Sequence, residues 1–511
     1  MKDSWIDTLL LPLVVTAVPQ SLPASSSPLS ERSISSGICC GALSIVSPWK
    51  TVYSKSTAYN SSMEGFWSLQ TTFDTPTCIF KPTSNTDVSL AVKTLSLLKC
   101  QFSIKGGGHT PWAGAASIKD GVTIDMTGMS AVTVSGDQKV ASIGAGARWG
   151  KIYSALESQG LMVAGGRDPD VGIGGLVLGG GYSWFTSTMG FVADGVVNIE
   201  LVLADGSIVN ANSTSNSDLF QGLKGGGNNF GVVTRYDLRS FPFGQMWGVI
   251  RIFSNVTQDQ QIATFVNFTD NAHADTHANL INFCSYSSET KFHTNWNVLD
   301  YTLPVENPPI YAEIDAIPDA VADTTRISSL SGLTEELSSA TQRVRNIFVT
   351  VSFANDAAMY RSAVDISNSY LKEFLDTPGL VWSLLFQPIP RIVSDASIKA
   401  GGNVLGVDRN KDNIIMYLLF ISWTDAKDDK ALHAAAYSVI DEIKAKSVET
   451  GTDNPFIYLN YAGEFQDPLG GYGKANVAKI AALSKKYDPQ GVFQKLVSGG
   501  YKITKAKPTT P

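Results

Sequence analysis

His109 follows three glycines in the stretch "FSIKGGGHTPWAGAASI", residues 102–118, and is one of five histidines in the chain. An imidazole at this point could act as a base, ligate a metal or bond to a cofactor. The three glycines before it would let the backbone approach a ligand closely, because they carry no side chains. Taken alone, the stretch favours a simpler interpretation, a polar residue in a glycine turn after a short strand.

Two further glycine clusters follow His109, "GGRDPDVGIGGLVLGGGYSWFTSTMG" (165–190) and "LKGGGNNFGVVTRYDLRSF" (223–241). Backbone amides in such loops can contact a pyrophosphate. The common cofactor motifs do not fit "GAGARWG", which has Trp149 where a dinucleotide fingerprint needs its third glycine and Ala145 where a phosphate loop needs glycine. The clusters therefore favour a dinucleotide that is held in another way.

Metal and hydrolase chemistry have weaker support in the sequence. His273 and His277 are four residues apart in "HADTH", which could bind zinc on one helix face, but no cysteine or third histidine accompanies them. A serine hydrolase would place its nucleophile in a Gly-x-Ser-x-Gly pentapeptide, which the chain lacks. We expect two solvent-facing histidines and no metal site.

Alternating strands and helices must position the glycine loops. The strand "CIFKP", a helix "DVSLAVKTLSLLKC" opened by Asp87, and the strand "FSIK" form a βαβ unit that ends in the first cluster. Short strands follow, with a hairpin turn at Asp205-Gly206. Residues 247–446, with the strand "IIMYLLFISW" and a helix over 427–446, indicate a second domain. The predicted fold class is α+β.

Length and charge limit the kinds of partner. A chain of 511 residues with 43% hydrophobic residues exceeds one ordinary core. The net charge of -7, with no basic run, gives no general attraction for nucleic acid or an anionic membrane. A small molecule is the expected partner.

The N-terminal segment is typical of a secretory signal peptide over residues 1–20. Its apolar part, Thr8 to Val18, is too short to span a bilayer, and no later run is long enough for a membrane helix. Asparagine sequons begin at Asn60, Asn212, Asn255 and Asn267, and each could carry a glycan in the secretory pathway. Secretion is therefore the expected destination, without stable membrane insertion.

Four of the five cysteines, Cys39, Cys40, Cys78 and Cys100, lie within the first hundred residues. One or two disulfides in this region are plausible in an oxidising compartment, although the pairing is open. Cys284 is then left over, and small buried thiols remain the alternative for Cys78 and Cys284.

Taken together, the motifs resemble one family. "KGGGH", "GGRDPDVGIGGLVLGGGYSW", "GGGNNFGVVTRYDL", "FIYLNYAGE" and "YDPQGVFQ" occur in an order that is similar to the berberine bridge enzyme-like flavoproteins, and most similar to fungal members of specialised metabolism. These belong to the vanillyl-alcohol oxidase superfamily with its PCMH-type FAD-binding domain. The resemblance runs from about Ser54 to Ile503.

The resemblance implies a domain order. A PCMH-type FAD-binding domain of two α+β subdomains would occupy residues 74–245, after an N-terminal extension at 21–73. A substrate domain, an antiparallel sheet backed by helices, would be inserted at 246–453. Residues 454–503 would then return to complete the FAD domain.

The resemblance also implies a single covalent bond between FAD and His109. Many family members add a second bond from a cysteine, but Asp168 stands at that position and has no sulfur to offer. Asp168 could remain near the flavin as a charge or cap the turn before Pro169. The other residues implied to bind FAD are Lys105, Gly106, Gly107, Gly108, Thr110, Gly114, Val171, Gly174, Gly175, Gly179, Gly180, Gly181, Tyr182, Gly231, Val232 and Val233.

Tyr461 matches the family's catalytic base, with Tyr458 and Asn460 beside it in "YLNY". A tyrosine needs cationic or hydrogen-bond support to act as a base, and a tyrosine in a core strand is the alternative. The implied activity is oxidation of a small natural-product substrate, with hydride passing to flavin and then to dioxygen. A carbohydrate oxidase, a flavin-containing cyclase or isomerase, and a binding protein with an inactive flavin site remain alternatives.

Overall fold

The first sheet contains the predicted βαβ unit. The computed structural model describes residues 31–338 and 344–509. The sheet has the order β1-β2-β4-β3 and is formed by β1 (Thr51–Tyr53), β2 (Cys78–Phe80), β3 (Phe102–Lys105) and β4 (Val122–Asp125). β4 pairs in parallel with both β2 and β3, so the first glycine cluster leaves the sheet at the carboxyl end of β3.

The helix between β2 and β3 begins earlier than predicted. Helices α1 (Glu31–Val46) and α2 (Thr57–Glu64) precede α3 (Asn85–Leu97), whose N-cap is Ser84. The Ser84 hydroxyl accepts from the Asp87 amide at 3.1 Å, and the Asp87 carboxylate accepts from the Ser84 amide at 3.1 Å. Asp87 is therefore the third residue of the helix and completes a capping box, rather than opening the helix.

Two disulfides connect α1 to this sheet. Cys39 pairs with Cys100 and Cys40 pairs with Cys78, across 61 and 38 residues of chain. Cys284 remains a buried free thiol. All four N-terminal cysteines are thus bridged. One or two disulfides were expected in this region, and the structure has two.

Removing the longer bridge should destabilise the fold. A Cys39→Ala, Cys100→Ala variant frees a 61-residue loop in the unfolded chain and should lose about 2–4 kcal/mol of unfolding free energy. Urea unfolding followed by tryptophan fluorescence measures it. The matched Cys40→Ala, Cys78→Ala variant frees only 38 residues and should lose less, so equal midpoints for wild type and both variants would contradict the prediction.

The second sheet carries the middle of the chain in the order β5-β6-β10-β8-β9, with every pairing antiparallel. The predicted hairpin at Asp205-Gly206 is present, since Val202 pairs with Ile208. The strands are β5 (Val132–Val134), β6 (Val140–Gly144), β8 (Val196–Val202), β9 (Ile208–Asn212) and β10 (Val232–Arg239), and β7 (Leu161–Met162) pairs separately with β11 (Phe241–Pro242). The helices of this region are α4 (Trp149–Glu157), α5 (Ile173–Leu178), α6 (Thr186–Met189) and α7 (Ser217–Leu223).

The third sheet is a large antiparallel one, ordered β15-β12-β14-β13-β18-β19-β17-β20 with β16 also paired to β12. Its strands are β12 (Met246–Ser254), β13 (Ala278–Ser287), β14 (Phe292–Tyr301), β15 (Ala320–Asp323), β16 (Arg326–Ser328), β17 (Arg345–Ala354), β18 (Val381–Ile389), β19 (Ile414–Trp423) and β20 (Asp453–Asn454). The accompanying helices are α8 (Gln258–Asn271), α9 (Ala312–Asp315), α10 (Leu330–Glu335), α11 (Ala357–Leu371), α12 (Arg391–Lys399) and α13 (Asp429–Thr450).

Side chains alternate between the two faces of this sheet. Val349 and Leu419 oppose each other and belong to a core shared with α8, α11 and α13. Phe348 and Phe420, the neighbouring pair, point to the opposite face because successive strand residues alternate. One face therefore builds a core with helices, and the other is free to line a site.

The chain after β20 returns to the first sheet. It forms α14 (Pro468–Gly471), α15 (Lys474–Tyr487) and α16 (Val492–Lys495), and the Phe102 amide donates to the Leu496 carbonyl at 2.9 Å. The architecture is mixed α and β, as predicted. Across residues 31–338 and 344–509, no helix is both long and apolar enough to cross a membrane. The signal peptide predicted for residues 1–20 lies outside the described residues.

Candidate active site

A cavity of about 460 Å³ lies between the glycine loops, the third sheet and the C-terminal segment. Many of the residues predicted for the site line it: Gly106, Gly107, Gly108, His109, Thr110, Asp168, Val171, Gly174, Gly175, Tyr182, Gly231, Val232, Val233, Tyr458, Asn460 and Tyr461. The structure thus brings the three glycine clusters and the "YLNY" motif to one place.

Five predicted residues do not line the cavity, namely Lys105, Gly114, Gly179, Gly180 and Gly181. The glycines among them have local roles. A Cβ on Gly179 would lie 2.1 Å from Asn460 Oδ1, so this glycine makes room for the Asn460 side chain. Gly180 and Gly181 have φ values of 100° and 80°, which residues other than glycine rarely adopt.

Bare backbone forms one wall of the cavity. Gly107 and Gly172 touch so closely that a Cβ on either would lie 2.4 Å from the other's amide nitrogen. A Cβ on Gly175 would meet nothing within 4 Å and would project into open space. Peptide groups on this wall can therefore reach a bound cofactor with no side chain between them, which fits a dinucleotide.

His109 is held on two sides. Its ring stacks on Trp67, with centroids 4.3 Å apart and planes 7° from parallel. Its Nε2 lies 3.6 Å from Asp168 Oδ2, and Asp168 Oδ1 accepts from the Asp170 amide at 2.8 Å. Asp168 therefore caps the turn and also lies beside His109, while its role as a charge near a flavin remains a prediction. Trp67 was not predicted, because nothing in the sequence links it to the histidine.

Lys105 supports the first glycine loop from behind the cavity wall. Its Nζ donates to the Ser62 carbonyl at 2.7 Å and lies 3.5 Å from Asp125 Oδ2, and both side chains are buried. Burial alone would raise the pKa of Asp125, but the charge of Lys105, the Ser62 hydroxyl and Lys81 together hold it below the usual 3.8. The ammonium is thus paired inside the protein, and this is why it does not face the cavity.

We expect the Lys105–Asp125 pair to control stability in acid. The Asp125 carboxylate has a lowered pKa, so its contribution is complete above about pH 4 and is lost as pH falls through the folded-state value. An Asp125→Asn variant leaves the Lys105 charge buried and unpaired, and should lose about 3–5 kcal/mol at pH 7. Urea unfolding at pH 7 and pH 3.5 measures it. The difference in unfolding free energy between the wild type and the Asp125→Asn variant should be smaller at pH 3.5 than at pH 7.

The exposed Asp441 on α13 provides the control for this measurement. Asp441→Asn removes a carboxylate without unpairing a buried cation, so its unfolding midpoint should match that of wild type at both pH values. An Asp125→Asn protein as stable as the Asp441→Asn protein at pH 7 would disprove the importance of the pair.

Tyr461 receives two hydrogen bonds at its phenol oxygen. Arg167 Nη2 donates to it at 2.8 Å and Gln387 Nε2 at 3.2 Å. The Arg167 guanidinium also lies over the rings of Tyr182 and Trp184, 4.8 and 5.3 Å from their centroids. Cationic support, the requirement for a tyrosine base, is therefore in place. Arg167 adjoins Asp168 in the "GGRDP" loop, yet 294 residues separate it from Tyr461, so the sequence alone could not link them.

Tyr458 and Asn460 have a different environment from Tyr461. The Tyr458 oxygen accepts from the Tyr182 amide at 2.8 Å and from Asn460 Nδ2 at 3.1 Å. Burial raises the pKa of Tyr458, so its phenol stays protonated. Asn460 Nδ2 also donates to the Leu176 carbonyl at 3.0 Å. These two residues anchor the segment that presents Tyr461.

The third sheet supplies an apolar wall to the cavity. Its lining side chains are Ile281, Phe283, Phe348, Leu385, Leu418 and Phe420. All of them are hydrocarbon, so polar contacts for a ligand come from the Tyr461 side of the cavity. We call this set the apolar wall.

The two histidines considered for zinc are engaged in local contacts. His273 Nδ1 lies 3.0 Å from the Asp270 carbonyl and His277 Nδ1 lies 2.7 Å from the Thr302 hydroxyl. In the part of the chain that the structure describes, no three histidine, cysteine or acidic side chains are grouped to hold a metal.

The cavity has a wall of glycine backbone, a histidine that is held on two sides and a tyrosine that accepts from an arginine. Together these define an oxidoreductase with a flavin site. The chain matches the FAD binding domain family over residues 76–212. It is 37% identical over 478 residues to the FAD-dependent monooxygenase sdcF of Emericella nidulans, covering 92% of this chain and 99% of that protein. It is 34% identical to the FAD-dependent monooxygenase drtC of Aspergillus calidoustus, covering 88% and 86%. The chain therefore belongs to the same family of FAD-dependent oxidoreductases as these fungal proteins.

Solved structures show the same fold. Glucooligosaccharide oxidase from Acremonium strictum, with a 6-S-cysteinyl, 8α-N1-histidyl FAD, superposes with a TM-score of 0.73 at 21% identity, covering 90% of this chain and 99% of that one. 6-Hydroxy-D-nicotine oxidase from Arthrobacter nicotinovorans superposes with a TM-score of 0.73 at 19% identity, covering 89% and 97%. The fold is therefore that of PCMH-type flavin oxidases.

Proposed function

We propose that the protein is an oxidase in which Tyr461 takes a proton from the substrate. The observation that supports this most directly is the 2.8 Å hydrogen bond from Arg167 to the Tyr461 oxygen. A phenol is ordinarily a poor base, with a pKa of about 10 in water. A guanidinium that donates to the same oxygen supplies the cationic and hydrogen-bond support that a tyrosine needs to act as a base.

Gln387 and Arg167 also determine which side of the Tyr461 phenol oxygen is left for a substrate. Both donate to it, so the remaining lone pair is the one available to a substrate O–H or C–H group. When bound, FAD would supply the hydride acceptor, with dioxygen taking up the two electrons as hydrogen peroxide. The protein's own contribution is to orient the substrate and to hold the proton on Tyr461.

His109 is proposed to hold the cofactor through one covalent bond from a ring nitrogen. Trp67 restricts the imidazole plane, and Asp168 faces Nε2, which favours a proton on that nitrogen and leaves Nδ1 as the nucleophilic atom. A carboxylate cannot form a thioether, so no second bond is expected from position 168. Backbone of the glycine wall would contact the rest of the cofactor.

The apolar wall supports a hydrophobic substrate. A sugar presents hydroxyl groups on every edge, and burying them against Phe283, Leu418 and Phe420 would leave them without partners. A flat natural product with one acidic hydroxyl would place its rings on the wall and that hydroxyl at Tyr461. We therefore propose a natural-product oxidase and not a carbohydrate oxidase.

Binding to the oxidised protein should separate these substrate classes. Polycyclic phenols should shift the flavin absorbance spectrum at micromolar concentration, whereas cellobiose and glucose should leave it unchanged at millimolar concentration. A spectral shift with cellobiose or glucose, and none with the phenols, would favour a carbohydrate oxidase.

Two other reactions fit the same site. The relatives sdcF and drtC carry the name monooxygenase, so insertion of one oxygen atom from dioxygen into the product is the second candidate. A cyclase or isomerase would form product without net consumption of dioxygen. Turnover under ¹⁸O₂ with peroxide counted per product distinguishes the three. One peroxide per product and no label supports the oxidase, label in the product supports the monooxygenase, and full turnover without dioxygen supports the isomerase.

Passage through the secretory pathway is part of this proposal. The disulfides Cys39–Cys100 and Cys40–Cys78 support folding in an oxidising compartment. The signal peptide at residues 1–20 and the glycans at the sequons remain predictions. Sequencing the N-terminus of the protein from culture medium tests the cleavage.

A further inference from the structure

Helices α1 and α3 lie side by side on one face of the first sheet and run in opposite directions. Cys39, in the first half of α1, is bridged to Cys100, which follows the end of α3. At the other end of the pair, the Ser47 hydroxyl donates to Asp87, in the first turn of α3, at 3.4 Å. Helix α2 packs with Ile79 on the other face of the sheet. The outer sides of α1 and α3 therefore form one surface.

This surface carries exposed apolar side chains on both helices. Ile38 and Ile45 of α1 are 60% and 80% exposed, and Leu90 and Leu97 of α3 are 38% and 80% exposed. Each pair is seven residues apart, which places both members on one side of their helix. Trp49, just beyond the end of α1, is 97% exposed. Single exposed apolar residues are common, but a cluster of them usually marks a contact with a protein or a membrane. We call these five residues the α1–α3 patch.

The charge near the patch is positive, although the chain as a whole has a net charge of -7. Residues 36–63, which include most of α1, contain Lys50 and Lys55 and no acidic residue. Helix α3 has one acidic residue, Asp87, and its carboxylate is paired with Lys50 at 3.3 Å. Lys55 and Lys99 are exposed, and neither makes an ion pair with any residue that the structure describes. Two cations are therefore left for an outside partner.

Both of these cations lie beside the patch. Lys99 is two residues beyond Leu97 in the chain. Lys55 is two residues beyond Tyr53, whose hydroxyl lies 3.0 Å from the Ser44 hydroxyl on α1. The surface thus has apolar groups in its middle and positive charge at its edge, which is complementary to a layer of anionic lipid headgroups.

The composition of the patch favours a lipid bilayer over a protein partner. Protein interfaces are depleted in lysine, whereas a lysine at the edge of an apolar surface can reach a lipid phosphate while its stem stays in the apolar layer. Tryptophan, which the patch exposes at Trp49, is enriched at the boundary between lipid headgroups and acyl chains. An apolar helical face with lysines beside it binds in that boundary without crossing the bilayer.

We infer that the α1–α3 patch docks reversibly on the surface of a bilayer that contains anionic lipid. Its apolar side chains enter the headgroup layer, and Lys55 and Lys99 contact lipid phosphates. The sequon at Asn60 lies on α2, on the other face of the sheet, so a glycan there does not block the contact. Docking does not depend on the reaction at the active site, but it brings the enzyme to the layer in which a hydrophobic substrate dissolves.

Sedimentation with lipid vesicles tests this contact. The full-length holoprotein is mixed with vesicles of phosphatidylcholine that contain about 30% phosphatidylserine, and with vesicles of phosphatidylcholine alone. The wild type should bind the mixed vesicles more tightly. An Ile45→Ser, Leu97→Ser variant should bind them at least about tenfold more weakly, because less apolar surface enters the lipid. A Lys55→Ser, Lys99→Ser variant should lose most of the preference for the mixed vesicles.

An Ile398→Ser, Val448→Ser variant provides the matched control. It removes two exposed apolar side chains from α12 and α13, away from the patch, and should bind vesicles like the wild type. All of the replaced side chains are exposed, so the thermal midpoints of the variants should match that of the wild type. Equal midpoints separate a loss of binding from a loss of folding.

Two vesicle results would overturn the inference. One is equal binding by the wild type and the Ile45→Ser, Leu97→Ser variant, and the other is no binding of the wild type to either kind of vesicle. Light scattering after size exclusion adds a third. A wild-type dimer that becomes a monomer in the Ile45→Ser, Leu97→Ser variant would assign the patch to a second copy of the chain. None of these results bears on the proposed roles of Tyr461 and His109.

Discussion

Replacing Tyr461 with phenylalanine should lower kcat about 10²–10⁴-fold, the usual contribution of a positioned general base. The variant retains the ring that packs beside Phe348 and Tyr458, and loses only the oxygen to which Arg167 and Gln387 donate. The measurement is the rate of flavin bleaching by substrate without dioxygen. Because binding depends mostly on the apolar wall, the substrate's dissociation constant should change much less.

Two further variants give this result its meaning. Tyr370→Phe removes a phenol on the exposed side of α11 that donates to Glu442 Oε2 at 3.0 Å, and should bleach at the wild-type rate. Arg167→Met should approach the Tyr461→Phe rate, because it removes the cation from the same oxygen. A Tyr461→Phe protein that bleached as fast as wild type would remove Tyr461 from the chemistry.

Replacing His109 with alanine should release all of the flavin from the polypeptide on acid denaturation. In the wild type the yellow colour should remain with the precipitated protein, and intact-mass spectrometry should show one bound FAD. The exposed His273 provides the matched control, and His273→Ala should retain its flavin. Colour in the wild-type supernatant would exclude the bond, and retention by His109→Ala would move it to another residue.

Replacing Asp168 with asparagine tests whether the Asp168 charge helps His109 to form the proposed covalent bond to FAD. Asparagine can still cap the turn at Asp170, but it no longer presents a negative charge to His109 Nε2. The expected result is covalent flavin that forms more slowly after cofactor is added to apoprotein.

Contiguous motifs made much of the site predictable. The glycine clusters, His109 and Tyr461 each sit in a short pattern whose residues are also neighbours in space. Trp67, Arg167 and Gln387 could not be found this way, since each meets its partner through tertiary packing. Arg167 and Tyr461 are 294 residues apart, and Gln387 and Tyr461 are 74 apart.

The motif also included residues that the fold uses differently. Lys105 is a cation beside the glycine loop, and a sequence cannot show that Asp125 on the adjacent strand pairs with it. Gly180 and Gly181 were predicted to bind the cofactor, and that remains a prediction; their positive φ angles are a separate reason for glycine at both positions. The apolar wall was unreadable as well, because alternation assigns side chains to two faces without saying which face meets the cavity.

Several lining residues come from the last part of the chain, including Tyr458, Tyr461, Gly500 and Tyr501, while Trp67 comes from near its beginning. Segments that are far apart in the sequence must therefore pack together before the cavity has all of its walls. A chain cut before Tyr458 would lack one side of the cavity, so the apolar wall and the glycine loops would face solvent.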